Sequence, residues 1–121
     1  WGFRFSTLAF VWTKLRKAYN PNQLRVTPTA DSDFHVGLGL TTRKNAELVL
    51  LGRRGSPKRI AKNVRELILA PRREHSRKPD ELYERVERYC VGPYLDLFSR
   101  EQRENWASWG NEQTKFNEAA E

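Results

Sequence analysis

The sequence predicts an α/β fold, and three observations support that prediction. Short apolar runs of strand length occupy the first half of the chain. One amphipathic helical segment follows them, and two more strand-like runs come after it. Strands combined with a helix in this way are typical of a sheet covered by helices. We therefore expect about five strands and one helix, with part of the helical cover absent from this chain.

The first two strands are expected over residues 7–12 and 47–52. Both faces of the first run are apolar, which predicts an interior strand of a covered sheet. Lys14 sits at the end of this strand, where a cation serves either as a solvent-facing cap or as a phosphate contact. Asn45 and Glu47 stand at the entrance of the second run. Both strand ends therefore offer polar groups.

The segment between these strands, residues 15–45, lacks a clear period and predicts a long loop. Such a loop in a compact domain is usually functional or mobile. Gly37 and Gly39 are too weak a signal for a phosphate loop, because no helix pattern follows them. His35 has no second ligand at suitable spacing, so an incidental role is favoured over metal binding. A third strand is expected over residues 64–70, with a helical turn as the alternative.

The helix is expected to begin at Pro79, whose fixed φ and missing N–H suit a first helical turn. The two carboxylates that follow it are favoured there by the helix dipole. Gly92 and Pro93 end the helix. The apolar positions recur at helical spacing and form one face: Leu82, Val86 and Tyr89.

Two short strands are predicted after the helix, over residues 94–99 and 106–110. Asp96 lies in the middle of the first, and Asn111 and Glu112 follow the second. Polar groups at the ends of two neighbouring strands predict a nucleotide or cofactor crevice at the carboxyl edge of a sheet. The polar tail after Lys115 is expected to fray.

The positive charge of the chain is concentrated in its middle. The formal net charge is +7, and residues 53–78 hold ten Lys and Arg against two acids. This distribution predicts a polyanionic partner, and a solvated arginine-rich loop is the alternative. The sequence has no apolar run long enough to span a bilayer, no secretory signal and a single cysteine. These features favour an intracellular protein, cytoplasmic or, in a bacterial or phage setting, nucleoid-associated.

The chain is interpreted as a single partial domain over residues 1–121. It begins at Trp1 and contains no methionine, so we expect a missing N-terminal part. A partial sheet should also expose apolar surface and edges, which favours self-association into homo-oligomers.

Five sequence landmarks follow one another along the chain: residues 1–14 (W-G-F-R-F…V-W-T-K), 43–55 (R-K-N-A-E-L-V-L-L-G-R-R-G), 76–83 (S-R-K-P-D-E-L-Y), 94–100 (Y-L-D-L-F-S-R) and 106–112 (W-A-S-W-G-N-E). In this order and spacing they resemble the adenine-N(6) methyltransferase family. That family includes the catalytic subunit of the eukaryotic mRNA adenosine methyltransferase and many phage and bacterial DNA methyltransferases. The resemblance implies the C-terminal part of a permuted Rossmann-like fold that uses S-adenosylmethionine. The family's catalytic Asp-Pro-Pro-Trp motif is absent here, so no catalytic residue is assigned.

The resemblance also implies where the cofactor binds, with no metal involved. Lys78 would approach the methionine carboxylate, and Asp96 and Leu97 would line the cofactor. Asn111 and Glu112 would contact its ribose side, since a carboxylate at a strand end can accept from both ribose hydroxyls. Two alternatives stay open: Asp96 could instead pair with Arg100, and Asn111 with Glu112 could cap a turn. The full implied set is Lys78, Asp96, Leu97, Arg100, Asn111 and Glu112.

The implied substrate is adenine in DNA or RNA. One group of residues would border the target pocket: Lys14, Arg43, Asn45 and Glu47. A second group would hold phosphates: Arg53, Arg54, Lys58 and Arg59. The protein is thus predicted to transfer a methyl group to adenine N(6), with this segment inactive alone. The alternative is a non-catalytic nucleic-acid-binding subunit of a methyltransferase complex.

Overall fold

The computed structural model describes residues 1–16 and 33–117. Within them lie five strands and one helix, so the predicted mixed α/β class is confirmed. The predictions for residues 17–32 of the long loop and for the tail at 118–121 lie outside the described residues. The elements are β1 (Arg4–Leu15), β2 (Ala46–Arg53), β3 (Leu67–Pro71), α1 (Asp80–Tyr89), β4 (Tyr94–Leu97) and β5 (Trp106–Trp109).

The strands form two sheets. β1 is the central strand of the first sheet, antiparallel to β2 and parallel to β3. β4 and β5 pair in parallel as a second, two-stranded sheet. The expected single sheet is therefore divided, because the described backbone groups of β4 pair with β5 rather than with the first sheet. The interior position predicted for β1 is confirmed.

β1 extends beyond the apolar run that predicted it. Its backbone pairs from Arg4, opposite Arg53, to Leu15, opposite Pro71. Backbone pairing needs no apolar side chain, so charged residues continue the strand at both ends. Lys14 is the last residue but one of β1, so its predicted place at the strand end is confirmed.

The core lies on one face of the three-stranded sheet. Phe10, Trp12 and Ile68 are buried, and Ile68 is 0% exposed. The helix covers this face, because its apolar side chains Leu82 and Val86 pack against these three core residues. The Trp12 indole N–H also donates to the Ala70 carbonyl over 2.9 Å. We call this side of the sheet the covered face.

Much of the opposite side of the sheet is open to solvent in the described residues. Its leucines on β2 and β3 are 44–64% exposed, whereas Leu15 at the end of β1 is 2% exposed. The apolar surface expected of a partial sheet is therefore present. We call this side the uncovered face; its exposed leucines are Leu48, Leu50, Leu67 and Leu69.

The helix follows Pro79, which is the N-cap in an extended conformation rather than the first helical residue. Asp80 and Glu81 occupy the first turn as predicted. Arg85 fixes the helix to β3 by donating from Nη1 to the Leu67 carbonyl over 2.7 Å. This contact orients α1 over the covered face. No helix among the described residues is long and apolar enough to cross a membrane.

Candidate functional site

Two cavities open at the carboxyl ends of parallel strands, where α/β sheets usually bind ligands. The larger, which we call the β1–β3 cavity, has a volume of about 820 Å³ and follows β1 and β3. The smaller, which we call the β4 cavity, has a volume of about 300 Å³ and follows β4. The segment 76–77 lines both, so the two cavities are neighbours.

The β4 cavity brings together four of the six residues predicted to bind a cofactor. Lys78, Asp96, Leu97 and Arg100 all line it. Glu112 does not, although its carboxylate pairs with the Arg100 Nε over 2.9 Å. Asn111 is also outside the lining and lies exposed in the turn after β5.

Asp96 is held by the helix that covers the core. The Tyr83 hydroxyl donates to its Oδ2 over 3.0 Å. Burial of Tyr83, followed by the charge and hydrogen bond of Asp96, raises the pKa of that phenol, so Tyr83 remains a donor at neutral pH. The alternative pairing of Asp96 with Arg100 does not occur, because Arg100 binds Glu112 and the His75 carbonyl.

Left-handed backbone also shapes the β4 cavity. Ser76 and Phe98 line it with φ values of 64° and 58°. Non-glycine residues rarely adopt this conformation, and it clusters at functional sites. Gly110, with φ 153°, approaches the same segment so closely that a Cβ would lie 3.0 Å from the Phe98 Cα. The residue types gave no signal for the left-handed turns at Ser76 and Phe98.

An arginine–carboxylate network, which includes the lining residues Arg77 and Glu101, was missed by sequence reasoning. Arg77 pairs with Glu101 over 2.8 Å and with Glu74 over 3.2 Å. Arg103 pairs with Asp80 over 2.7 Å. Although burial opposes it, these carboxylates raise the pKa of Arg77. The network fixes the segment before α1 against the segment after β4.

Glu47 lines the β1–β3 cavity and pairs with two lysines, one of which lines the β4 cavity. It pairs with the Lys14 ammonium over 3.1 Å and with the Lys78 ammonium over 2.6 Å. Partial burial opposes ionisation, but the two donated hydrogen bonds outweigh it and lower the pKa of Glu47. Glu47 is therefore a carboxylate at neutral pH, and Lys78 links it to the β4 cavity.

The β1–β3 cavity contains three of the four residues predicted to border a target. Lys14, Arg43 and Glu47 line it. Asn45 contributes its backbone instead, since its carbonyl accepts from the Lys14 N–H over 2.8 Å. His35 also lines it, and burial together with nearby cations lowers the pKa of His35. The described residues contain no group of three or more His, Cys, Asp or Glu side chains that could hold a metal.

The basic residues predicted to hold phosphates lie elsewhere. Arg53 and Arg54 line a third cavity at the opposite end of β1 from Lys14. Lys58 and Arg59 are exposed and line neither this cavity nor the two described above. The structure therefore does not bring the predicted substrate-binding residues together in one place.

The β4 cavity fits S-adenosylmethionine in chemistry. Lys78 offers a cation for a carboxylate, and Asp96 offers an acceptor for hydroxyls. Leu97 and Phe98 add apolar surface. Its volume of about 300 Å³ is at the lower end for cavities that hold molecules of this size.

Comparisons with known proteins identify a family and a relative. The family model described as MT-A70 matches residues 1–112. The type II methyltransferase M.MunI from a Mycoplasma species is 32% identical over 117 residues. That match covers 93% of this chain and 41% of M.MunI. The chain thus spans about two fifths of the length of this curated relative.

Proposed function

The chain belongs to the MT-A70 family, and from that premise we propose that its protein is an S-adenosylmethionine-dependent adenine-N(6) methyltransferase acting on nucleic acid. The observation that carries the proposal is the meeting of Lys78, Asp96, Leu97 and Arg100 in one cavity. The MT-A70 match and the methyltransferase M.MunI support methyl transfer as the class of reaction.

In this proposal the β4 cavity holds the cofactor. S-adenosylmethionine supplies a methyl group on a cationic sulfur that is already a strong electrophile, so the protein mainly positions it. Asp96 accepts from the ribose hydroxyls, and Tyr83 fixes the orientation of that carboxylate. Lys78 has three N–H donors, so it can keep its contact with Glu47 and also bind the cofactor carboxylate.

The β1–β3 cavity holds the target base. Its volume of about 820 Å³ accommodates a purine, and it adjoins the β4 cavity across the Glu47–Lys78 pair. Lys14 and Arg43 donate to the target nucleotide, and Glu47 accepts. Neighbouring cavities permit the amino group and the methyl group to align. A duplex substrate would need its base flipped out, whereas a single strand would not.

The remaining parts of the proposal concern the rest of the protein. The catalytic groups, the other strands of a permuted Rossmann-like fold and the cover of the uncovered face come from residues outside this partial domain. Arg53, Arg54, Lys58 and Arg59 contact nucleic-acid phosphates. The protein is intracellular and could form homo-oligomers through the uncovered face.

A non-catalytic nucleic-acid-binding subunit is the second candidate function. The ten Lys and Arg of residues 53–78 favour it. It predicts nucleic-acid binding without binding of the methyl donor, so donor binding separates the two candidates.

The test is calorimetric titration of the full-length protein with S-adenosylmethionine. We expect binding by the wild type and at least ~10-fold weaker binding by Asp96→Asn, which keeps the shape but loses the charged acceptor. Glu104→Gln is the matched control, because Glu104 is an exposed carboxylate outside the β4 cavity. A wild type that does not bind the donor overturns the proposal.

A second assay identifies the substrate. Wild type and Asp96→Asn are incubated with donor and with single-stranded RNA, single-stranded DNA or duplex DNA. Mass spectrometry of the digested nucleosides then detects N(6)-methyladenine. Donor binding with methylation at a different atom would contradict the assignment to N(6).

A further inference from the structure

Two arginines lie directly opposite each other at the far end of β1. Arg4 pairs with Arg53 in the antiparallel register of β1 and β2. Like charges in this position destabilise a sheet. Among the described residues neither arginine has a carboxylate partner. At the other end of the same strand pair, Lys14 is compensated by Glu47.

A cavity of about 660 Å³ lies beside these arginines, and its lining contains no carboxylate. Arg54 joins them there, with the hydroxyl groups of Ser6 and Ser56. We call this the arginine cavity. Its lining therefore offers cationic and neutral hydrogen-bond donors but no anionic side chain.

The backbone on both sides of the arginine cavity turns through left-handed glycines. Gly2 has a φ of 79° and Gly55 a φ of 72°. The absence of a Cβ at Gly2 leaves room for Arg54, whose Cδ lies 3.6 Å from where that atom would be. Arg54 also donates from Nη1 to the Trp1 carbonyl over 3.4 Å. The guanidinium of Arg54, the third in the cavity, is thus positioned by the local backbone.

The chemistry of this lining selects a phosphate. A guanidinium presents a planar fork of donors that matches phosphate oxygens, and such charge-assisted hydrogen bonds are stronger than neutral ones. An anion between Arg4 and Arg53 would also relieve their mutual repulsion. Because the cavity is open to solvent rather than enclosed, it suits a phosphate carried on a chain.

We propose that the arginine cavity binds the phosphodiester backbone of the target nucleic acid about one duplex turn from the target base. The inference rests on the proposed function. It adds Arg4 to the phosphate contacts and gives the distance between those contacts and the target base. Arg4 and Lys14 are ten residues apart on one strand, which is about 33 Å at the usual rise. One turn of B-form duplex is about 34–36 Å, so a backbone bound at one end of β1 can follow it to the other.

The test measures binding of the full-length protein to fluorescent duplex DNA by anisotropy over a range of salt concentrations. The duplex spans about three helical turns. Arg4→Gln/Arg53→Gln should bind less tightly, and the slope of log affinity against log salt should fall by about 2, about 1 for each lost phosphate contact. Arg88→Gln, which removes an exposed cation from the end of α1, should bind the same duplex like the wild type.

A length series tests the distance. On a duplex of about half a turn placed at the target cavity, the double variant and the wild type should bind equally. Their affinities should separate once the duplex exceeds about one turn. Equal salt slopes for the double variant and Arg88→Gln on long duplex, or a difference already present on the short duplex, overturn the inference.

Two readouts separate this inference from the proposed function. Calorimetric donor binding should be unchanged in Arg4→Gln/Arg53→Gln, because neither arginine lines the β4 cavity. Methyl transfer by the wild type together with unchanged salt slopes rejects the arginine cavity and leaves the proposed function standing. Failure of the wild type to bind the donor rejects the proposed function instead.

Discussion

The two faces of the three-stranded sheet are equally apolar in sequence but differ in what they do. On β3, Ile68 is 0% exposed, and the next residue, Leu69, is 44% exposed. The covered face packs against α1 and ends at Lys14 and Glu47, which line the β1–β3 cavity. The uncovered face carries exposed leucines and none of the predicted site residues. The apolarity of a strand therefore predicts that it will be covered, but not which segment covers it.

The largest expected effect is the difference in stability loss between alanine variants of Ile68 and Leu69, which are neighbours on β3. Ile68→Ala should lower the free energy of unfolding by about 2–5 kcal/mol, because it leaves a cavity in the core. Leu69→Ala should cost less than about 1 kcal/mol, since half of that side chain is already in water. Chemical denaturation followed by tryptophan fluorescence measures both. Similar losses in the full-length protein would show that another part of it covers Leu69.

The next effect compares neighbours on β2. Glu47→Gln removes the carboxylate that compensates Lys14 and Lys78, so it should destabilise the fold by about 1–2 kcal/mol at neutral pH. Leu48→Gln, on the uncovered face, should cost less than about 0.5 kcal/mol. The same denaturation measurement applies. A larger loss for Leu48→Gln would mean that the uncovered face is packed in solution.

The contribution of Glu47 should also depend on pH. Its pKa in the folded chain is lowered from the ordinary value of 4.5, so the folded state favours the ionised form. The stabilisation is present above pH 4.5 and is lost as pH falls through the lower folded pKa. The stability difference between wild type and Glu47→Gln should therefore narrow in acid. A difference that widens between pH 7 and pH 4 would contradict this.

A smaller loss of stability is expected from a change in α1, the helix that packs on the covered face. Tyr83→Phe loses the hydrogen bond to Asp96 and should cost about 1 kcal/mol of stability. It should also weaken binding of the methyl donor several-fold, because Asp96 is then free to rotate. Tyr89→Phe is the matched control on the same helix. Equal donor affinity in both variants would mean that Tyr83 supports only the fold.

The sequence predicted the elements better than their arrangement. Local sequence pattern was enough to predict β1 and α1. β1 has a run that is apolar on both faces, and α1 has Leu82 and Val86 at helical spacing. The division into two sheets depends on which distant backbone groups pair, and strands of four residues carry little information about that.

The candidate site follows the same rule. Lys78 and Asp96 lie within recognisable sequence motifs, and both line the β4 cavity. The partners that orient this site come from far along the chain: Tyr83 for Asp96, Glu47 for Lys78 and Glu101 for Arg77. The left-handed Ser76 has no residue-type signal, since glycine or asparagine would be expected there. Pairing across long separations was therefore the missing information.

The position of β1 in the chain has a consequence for folding time. β1 is the central strand, yet both of its partners follow it, and its parallel pairing with β3 closes a loop that contains β2. Closing such loops precedes the gain from contact, so sheets with distant pairings fold slowly compared with helical bundles. Until β1 pairs with β3, an apolar strand edge is exposed. Newly made chains aggregate or bind chaperones through such exposed segments.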